Sequence, residues 1–206
     1  MRKLGALPFS IPKEDLGFKF TKSSRRETIY RQYKIGDILN QGTTSECVGY
    51  CLYYLLDAEP FKQQPFTPHK IYTEARKIDK VSDNIDGVSL KSGVEFLKQQ
   101  NKIKGQYWTD NANEVGEYIN TIAPVVMSLY WSSKMDTPDK TGRLSIGGSA
   151  MGYHAVMCYG YDALKEIFYF TNSWGAEWGH NGKFNITLGD LTKLFKKGSL
   201  ACSIVE

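Results

Sequence analysis

Apolar residues recur at helical spacing through the first half of the chain and alternate with polar ones through much of the second. Residues 46–56 contain no proline and place Cys47, Cys51, Tyr54 and Leu55 on neighbouring turns. This predicts a buried helix that opens just after Gly42, Thr43, Thr44 and Ser45. Thr67 and Pro68 open a second helix through Ile71, Tyr72, Ala75 and Ile78, since proline fits a first helical turn. Leu90, Val94 and Leu97 define a third helix over residues 89–99, set off from the second by an Asp86-Gly87 turn.

Beyond Asn111 the texture changes, beginning with a short helix predicted at 115–121. Residues 124–130, 154–161, 167–171 and 183–187 are short, rich in Val, Ile, Tyr, Phe and Thr, and bounded by turns containing Gly or Asp. They predict strands of an antiparallel sheet. Helices followed by strands give an α+β fold. We expect one domain over 1–206, with a helical lobe at about 20–110, a β-barrel-like antiparallel lobe at about 111–206, and residues 1–19 packing across. The groove between two such lobes is the natural place for a ligand.

A chain of 206 residues with 41% hydrophobic and 13% aromatic content buries a full core without disulfide support. Lys and Arg exceed Asp and Glu by 26 to 22, with both signs interspersed, so no nucleic-acid partner is expected. No apolar run reaches the roughly 18 residues of a membrane span, and no membrane partner is expected either. Met1-Arg2-Lys3 begins like an export signal, but Pro8, Ser10 and Pro12 interrupt the apolar stretch that follows. The start therefore reads as mature chain with no inhibitory segment ahead of it, and the expected location is the cytoplasm. Cys47, Cys51, Cys158 and Cys202 lack zinc-ribbon or redox spacing and read as thiols in a reducing compartment, with neither metal nor organic cofactor.

A thiol attacks as thiolate, so the chemistry turns on what could lower its pKa. Cys47 stands at the predicted start of a helix, where unpaired N–H groups favour an anion. Taken alone, a cysteine on an apolar helix is usually a core thiol. Among three histidines, His154 opens a predicted strand directly after Gly147, Gly148 and Gly152, a good mount for a base. His69 and His180 read as surface residues. Asn172 ends the next strand, where a neutral amide can hold the imidazole without removing its proton.

The run Asn172-Ser173-Trp174-Gly175-Ala176-Glu177-Trp178-Gly179-His180-Asn181-Gly182 resembles the Asn-Ser-Trp-Gly-x-x-Trp-Gly-x-x-Gly segment of the papain and cathepsin family. His154-Ala155-Val156 with Gly160-Tyr161 is similar to that family's histidine segment, and Gln41-Gly42 stands at its oxyanion-hole spacing before Cys47. The resemblance runs from about Leu7 to Ile204. It implies a two-lobed papain-like fold with Cys47 as nucleophile, His154 as base and acid, Asn172 as orienting residue, and Gln41 as oxyanion donor together with the Cys47 N–H. It further implies that Trp174 shields the His154–Asn172 pair and that Gly87, beside Asp86, pairs with an extended substrate. Tyr153, bulkier than the residue relatives carry before the histidine, is expected to narrow the cleft.

Thr44-Ser45-Glu46-Cys47-Val48 departs from the family's Cys-Gly-Ser-Cys-Trp, which removes a nearby disulfide and places a carboxylate beside the thiol, expected to raise its pKa. With its short span from Cys47 to His154, the chain looks like compact microbial or phage members. The implied activity is peptide-bond hydrolysis through an acyl-enzyme on an extended peptide or protein, with an inhibitor or regulatory protein as a further partner. The same residues also serve an acyl transferase or deconjugating amidase, and a catalytically silent peptide binder.

Overall fold

The computed structural model describes residues 3–17 and 29–205. Two short strands come first, β1 (Ala6–Leu7) and β2 (Tyr30–Gln32), before helix α1 (Cys47–Asp57). Helix α2 (Pro68–Asp79) starts on the Thr67 side chain, which accepts from the Lys70 N–H, with Pro68 in the first turn. Strand β3 (Val88–Ser89) leads into helix α3 (Leu90–Gln99), capped in the same way by Ser89. There follow β4 (Gly105–Thr109), α4 (Ala112–Thr121), β5 (Val125–Ser132), β6 (Ala150–Asp162), β7 (Ile167–Thr171), β8 (Lys183–Thr187), α5 (Leu188–Phe195) and β9 (Leu200–Val205).

The fold is α+β, as the sequence pattern predicts. The nine strands among the described residues form one curled sheet in the order β3-β1-β6-β5-β9-β4, with β7 and β2 pairing the far part of β6 and β8 pairing β7. Among these strands of the described residues β1 and β3 pair in parallel and the other pairs are antiparallel. Two core clusters flank the sheet. One packs α1, α2 and α3 on Ala155, Met157 and Tyr159, and the other packs α4 and α5 on Val156, Cys158 and Tyr161. Strand alternation sends successive β6 side chains to opposite clusters. A register shift between Cys158 and Gly160 explains why Tyr161 joins Cys158 on the same side.

Candidate active site

Strand β6 and helix α1 meet at the site. The Cys47 sulfur lies at the start of α1 and accepts from the backbone N–H of Ala155 at 3.5 Å, which sets the thiol against the residue next to His154. His154 faces the other way across the strand, between two indoles. Trp174 stacks on the imidazole at 4.7 Å with an interplanar angle of 26°, and Trp131 meets it edge-on at 5.0 Å. Trp131 is itself fixed by its indole N–H, which donates to Asp136 Oδ1 at 2.9 Å.

His154 Nε2 lies 2.7 Å from Asn172 Oδ1, and that oxygen also accepts from the Ser173 N–H at 2.8 Å. Two converging donors fix which end of the amide faces the ring, so Nε2 carries the hydrogen and Nδ1 is left as a base. Nδ1 is buried with no hydrogen-bond partner among the described residues, and it makes no hydrogen bond to the Cys47 sulfur. Asn172 is held by its N–H to the Gly182 carbonyl at 2.9 Å, and Tyr54 of α1 reaches its carbonyl at 3.5 Å.

The loop after Asn172 also positions Gln41. The Ser173 carbonyl accepts from the Gln41 N–H at 2.8 Å, while the Ser173 hydroxyl donates to Gln41 Oε1 at 2.5 Å. With its oxygen so occupied, the Gln41 amide must present its N–H groups toward α1. They donate to the Thr44 carbonyl at 2.6 Å and to the Lys3 carbonyl at 3.1 Å.

That last contact brings the N-terminal segment, expected to pack across the domain, to the site itself. Residues 3–7 lie over Cys47. Ala6 pairs with Tyr153 on one side and Val88 on the other, the Val88 N–H donates to the Gly5 carbonyl at 2.9 Å, and Lys3 Nζ meets Asp86 at 2.8 Å. Asp86, Gly87 and Tyr153, singled out as substrate contacts, thus border the chain's own N-terminal segment. The Tyr153 hydroxyl points away, to the Lys197 carbonyl at 3.0 Å.

A sequence profile described as papain family cysteine protease matches residues 54–200. The chain belongs to that family. The match begins after Cys47, so Gln41 and Cys47 stand on geometry and spacing rather than on the profile. Among related sequences, a peptidase C1-like protein of Acanthamoeba polyphaga mimivirus is 20% identical over 196 residues, covering 72% of this chain and 63% of its own length. A viral cathepsin of Cydia pomonella granulosis virus is 31% identical over 104 residues, 49% of this chain and 30% of that protein. The chain thus spans less than two thirds of either relative. Xylellain, a cysteine protease from Xylella fastidiosa, superposes with a TM-score of 0.78 at 16% identity, covering 98% of this chain and 95% of that one. Digestive procathepsin L 3 from the midgut of Tenebrio molitor larvae gives 0.69 at 11% identity, covering 98% and 76%.

In this papain-family site burial dominates the protonation of both candidate partners. Desolvation pushes the Cys47 thiol up to about 11, against backbone N–H groups of Ala155, Gly5, Val48 and Cys47 itself that pull it down. The helix start does act in the expected direction, but loss of water outweighs it. Desolvation likewise pushes the His154 imidazole down to about 4, against the hydrogen bond to Asn172. Both groups rest neutral. Glu46, expected to raise the thiol, turns its carboxylate to His69 Nδ1 at 2.9 Å; it acts on the Tyr50 hydroxyl and is absent among the groups shifting Cys47.

Sequence reasoning missed Trp131, Ser173 as the lock on Gln41, and the contact of residues 3–7 with Gln41 and Cys47. Ser173 lies inside the tryptophan motif and carried a signal, whereas Trp131 sits in an ordinary apolar strand. The four cysteines are free and buried. No helix among the described residues is long and apolar enough to cross a membrane, and no group of three His, Cys, Asp or Glu is placed to hold a metal.

Proposed function

We propose that the chain hydrolyses peptide bonds through a thioester on Cys47. The observation that carries this reading is the 2.7 Å bond from His154 Nε2 to Asn172 Oδ1, which leaves Nδ1 unprotonated on a ring clamped between two tryptophans, next in the chain to the Ala155 N–H that the thiol accepts. Nδ1 takes the thiol proton as the sulfur bonds to the substrate carbonyl carbon. The oxygen, now negative, accepts from Gln41 Nε2 and the Cys47 N–H, and a donor of this kind contributes roughly 3 to 4 kcal/mol. Collapse breaks the C–N bond, and the departing amine takes the proton from His154. Water then gives a proton to Nδ1, attacks the thioester, and the free acid and thiol are released.

Free thiols throughout fit a reducing compartment, which supports the cytoplasmic reading. The test is a fluorogenic peptide library together with an epoxide or vinyl-sulfone peptide, the adduct mapped by mass spectrometry. We expect turnover and an adduct on Cys47, both lost in Cys47→Ala. Turnover that survives in Cys47→Ala refutes the reading. An adduct on Cys47 without hydrolysis of any peptide would instead favour acyl transfer.

A further inference from the structure

We propose that Asp136 is a positioning residue for His154, acting through the tryptophans that pack against the ring. The inference rests on the proposed hydrolysis, in which Nδ1 must reach the sulfur to take its proton. One hydrogen bond holds the imidazole, from Nε2 to Asn172 Oδ1 at 2.7 Å, and Nδ1 has no partner among the described residues. That bond fixes one corner of the ring. The angle of the ring about that corner, and with it the place of Nδ1, is set by what packs on its face and edge: Trp174 at 26° and Trp131 at 75°.

Both indoles lead back to Asp136. Its carboxylate accepts from the Trp131 N–H at 2.9 Å, and its backbone carbonyl accepts from the Trp178 N–H at 2.8 Å. Trp178 in turn meets Trp174 edge-on at 5.0 Å, and Trp131 meets Trp174 edge-on at 5.3 Å. Phe184 closes the set, edge-on to Trp131 at 6.0 Å and to Trp178 at 5.7 Å. An indole N–H only donates and needs an acceptor when buried, and here one residue serves two of them. Asp136 is itself tied to the lead-in of β6. It ends a short 3₁₀ helix (Ser133–Asp136) whose Ser133 and Lys134 N–H groups donate to the Ser149 and Gly147 carbonyls at 3.0 and 3.2 Å.

Among the described residues the Asp136 carboxylate hydrogen-bonds the Trp131 indole and no group of the site, so its effect passes through that ring. Trp131 is wholly buried. Without the carboxylate its N–H is left with no acceptor, a costly state that the indole relieves by shifting toward water. In a close-packed cluster such a shift carries the neighbouring rings with it, and His154 loses the contact that sets its angle.

The test compares wild type with Asp136→Ala, Asp136→Asn and Trp131→Phe, by steady-state kinetics on a fluorogenic peptide and by proton NMR of the histidine rings. A misplacement of about 1 Å costs on the order of 10²-fold, so Asp136→Ala is expected to lower kcat by about 10- to 100-fold with KM within about twofold. Asp136→Asn keeps an acceptor oxygen and should recover kcat to within about threefold of wild type. Trp131→Phe keeps a ring but no N–H and should match Asp136→Ala, and the double variant should be no slower than either, since both cut the same link. Full kcat in Asp136→Ala, or Asp136→Asn as slow as Asp136→Ala, overturns the proposal. Indole ring currents act on the carbon-bound protons of His154, so Asp136→Ala should move those resonances while those of the exposed His69 and His180 stay. Unmoved His154 resonances overturn the proposal as well. If Asp136→Ala unfolds and all three histidines move together, Asp136→Asn and Trp131→Phe decide on the same two readouts. If no protein turns over peptide, the proposed hydrolysis fails, and the NMR comparison still decides the role of Asp136.

Discussion

Burial of His154 makes a direct prediction for stability against pH. The imidazole is wholly buried and its pKa is pushed from 6.5 to about 4, so the folded chain refuses a proton that the unfolded chain accepts. Above pH 6.5 neither state binds that proton, and His154 contributes no pH dependence. As pH falls below 6.5 the unfolded state gains the proton while the folded state does not, and stability drops until about pH 4, below which both bind it. At about 1.4 kcal/mol per pH unit, the loss across that window is about 3 kcal/mol. Other groups titrate there as well, so the informative quantity is a difference. Urea unfolding of wild type and His154→Gln, measured from neutral pH down to about 4, should show the wild type losing about 3 kcal/mol relative to the variant. A gap between the two proteins that stays constant within about 0.5 kcal/mol would refute the claim that this ring is held neutral by desolvation.

In the proposed mechanism Gln41 is an oxyanion donor, so Gln41→Ala is expected to lower kcat for peptide hydrolysis by about 10²- to 10³-fold with a smaller change in KM, measured by steady-state kinetics. Glu46→Gln should leave the pH profile of Cys47 alkylation unmoved, because that carboxylate faces His69; a downward shift of more than about half a pH unit would contradict the geometry. Gly182 has φ of 76° in the loop that holds Asn172, and a Cβ there would overlap Ile38 and lie 3.1 Å from the Gly175 carbonyl oxygen. Gly182→Ala should cost about 1–2 kcal/mol in backbone strain alone, read as a fall in Tm of about 3–8 °C by scanning calorimetry.

Periodicity revealed the elements that bury one clear face and missed those that do not. The helices through Cys51, Ile71 and Leu97 and the strands at 167–171 and 183–187 fall where the pattern places them. Strand β4 (Gly105–Thr109) was invisible because Gly105, Gln106 and Tyr107 are only half-buried and the alternation is weak. Its partner β9 (Leu200–Val205) is buried along nearly its whole length, so it shows no alternation at all. Helix α5 (Leu188–Phe195) begins without a break where β8 ends, with Thr187 serving as last strand residue and helix cap, so no loop signal separates the two. Strand β6 starts at Ala150, inside the glycine-rich stretch and before the start expected at His154, because Gly152 and Tyr153 pair with Trp131 and Tyr130.

For the site, the motif residues were legible because each needs a particular side chain at a particular offset, but the state of the proton was not. Residue types and spacing suggested a thiol eased toward its anion by a helix start. In the closed molecule desolvation is the largest influence on Cys47 and on His154, and it acts in opposite directions, raising the acid to about 11 and lowering the base to about 4. Transfer of the proton from one to the other is then strongly uphill. Water admitted to the cleft relieves the same cause at both groups and moves their pKa values toward each other, while the N–H groups of the helix start remain to favour the thiolate.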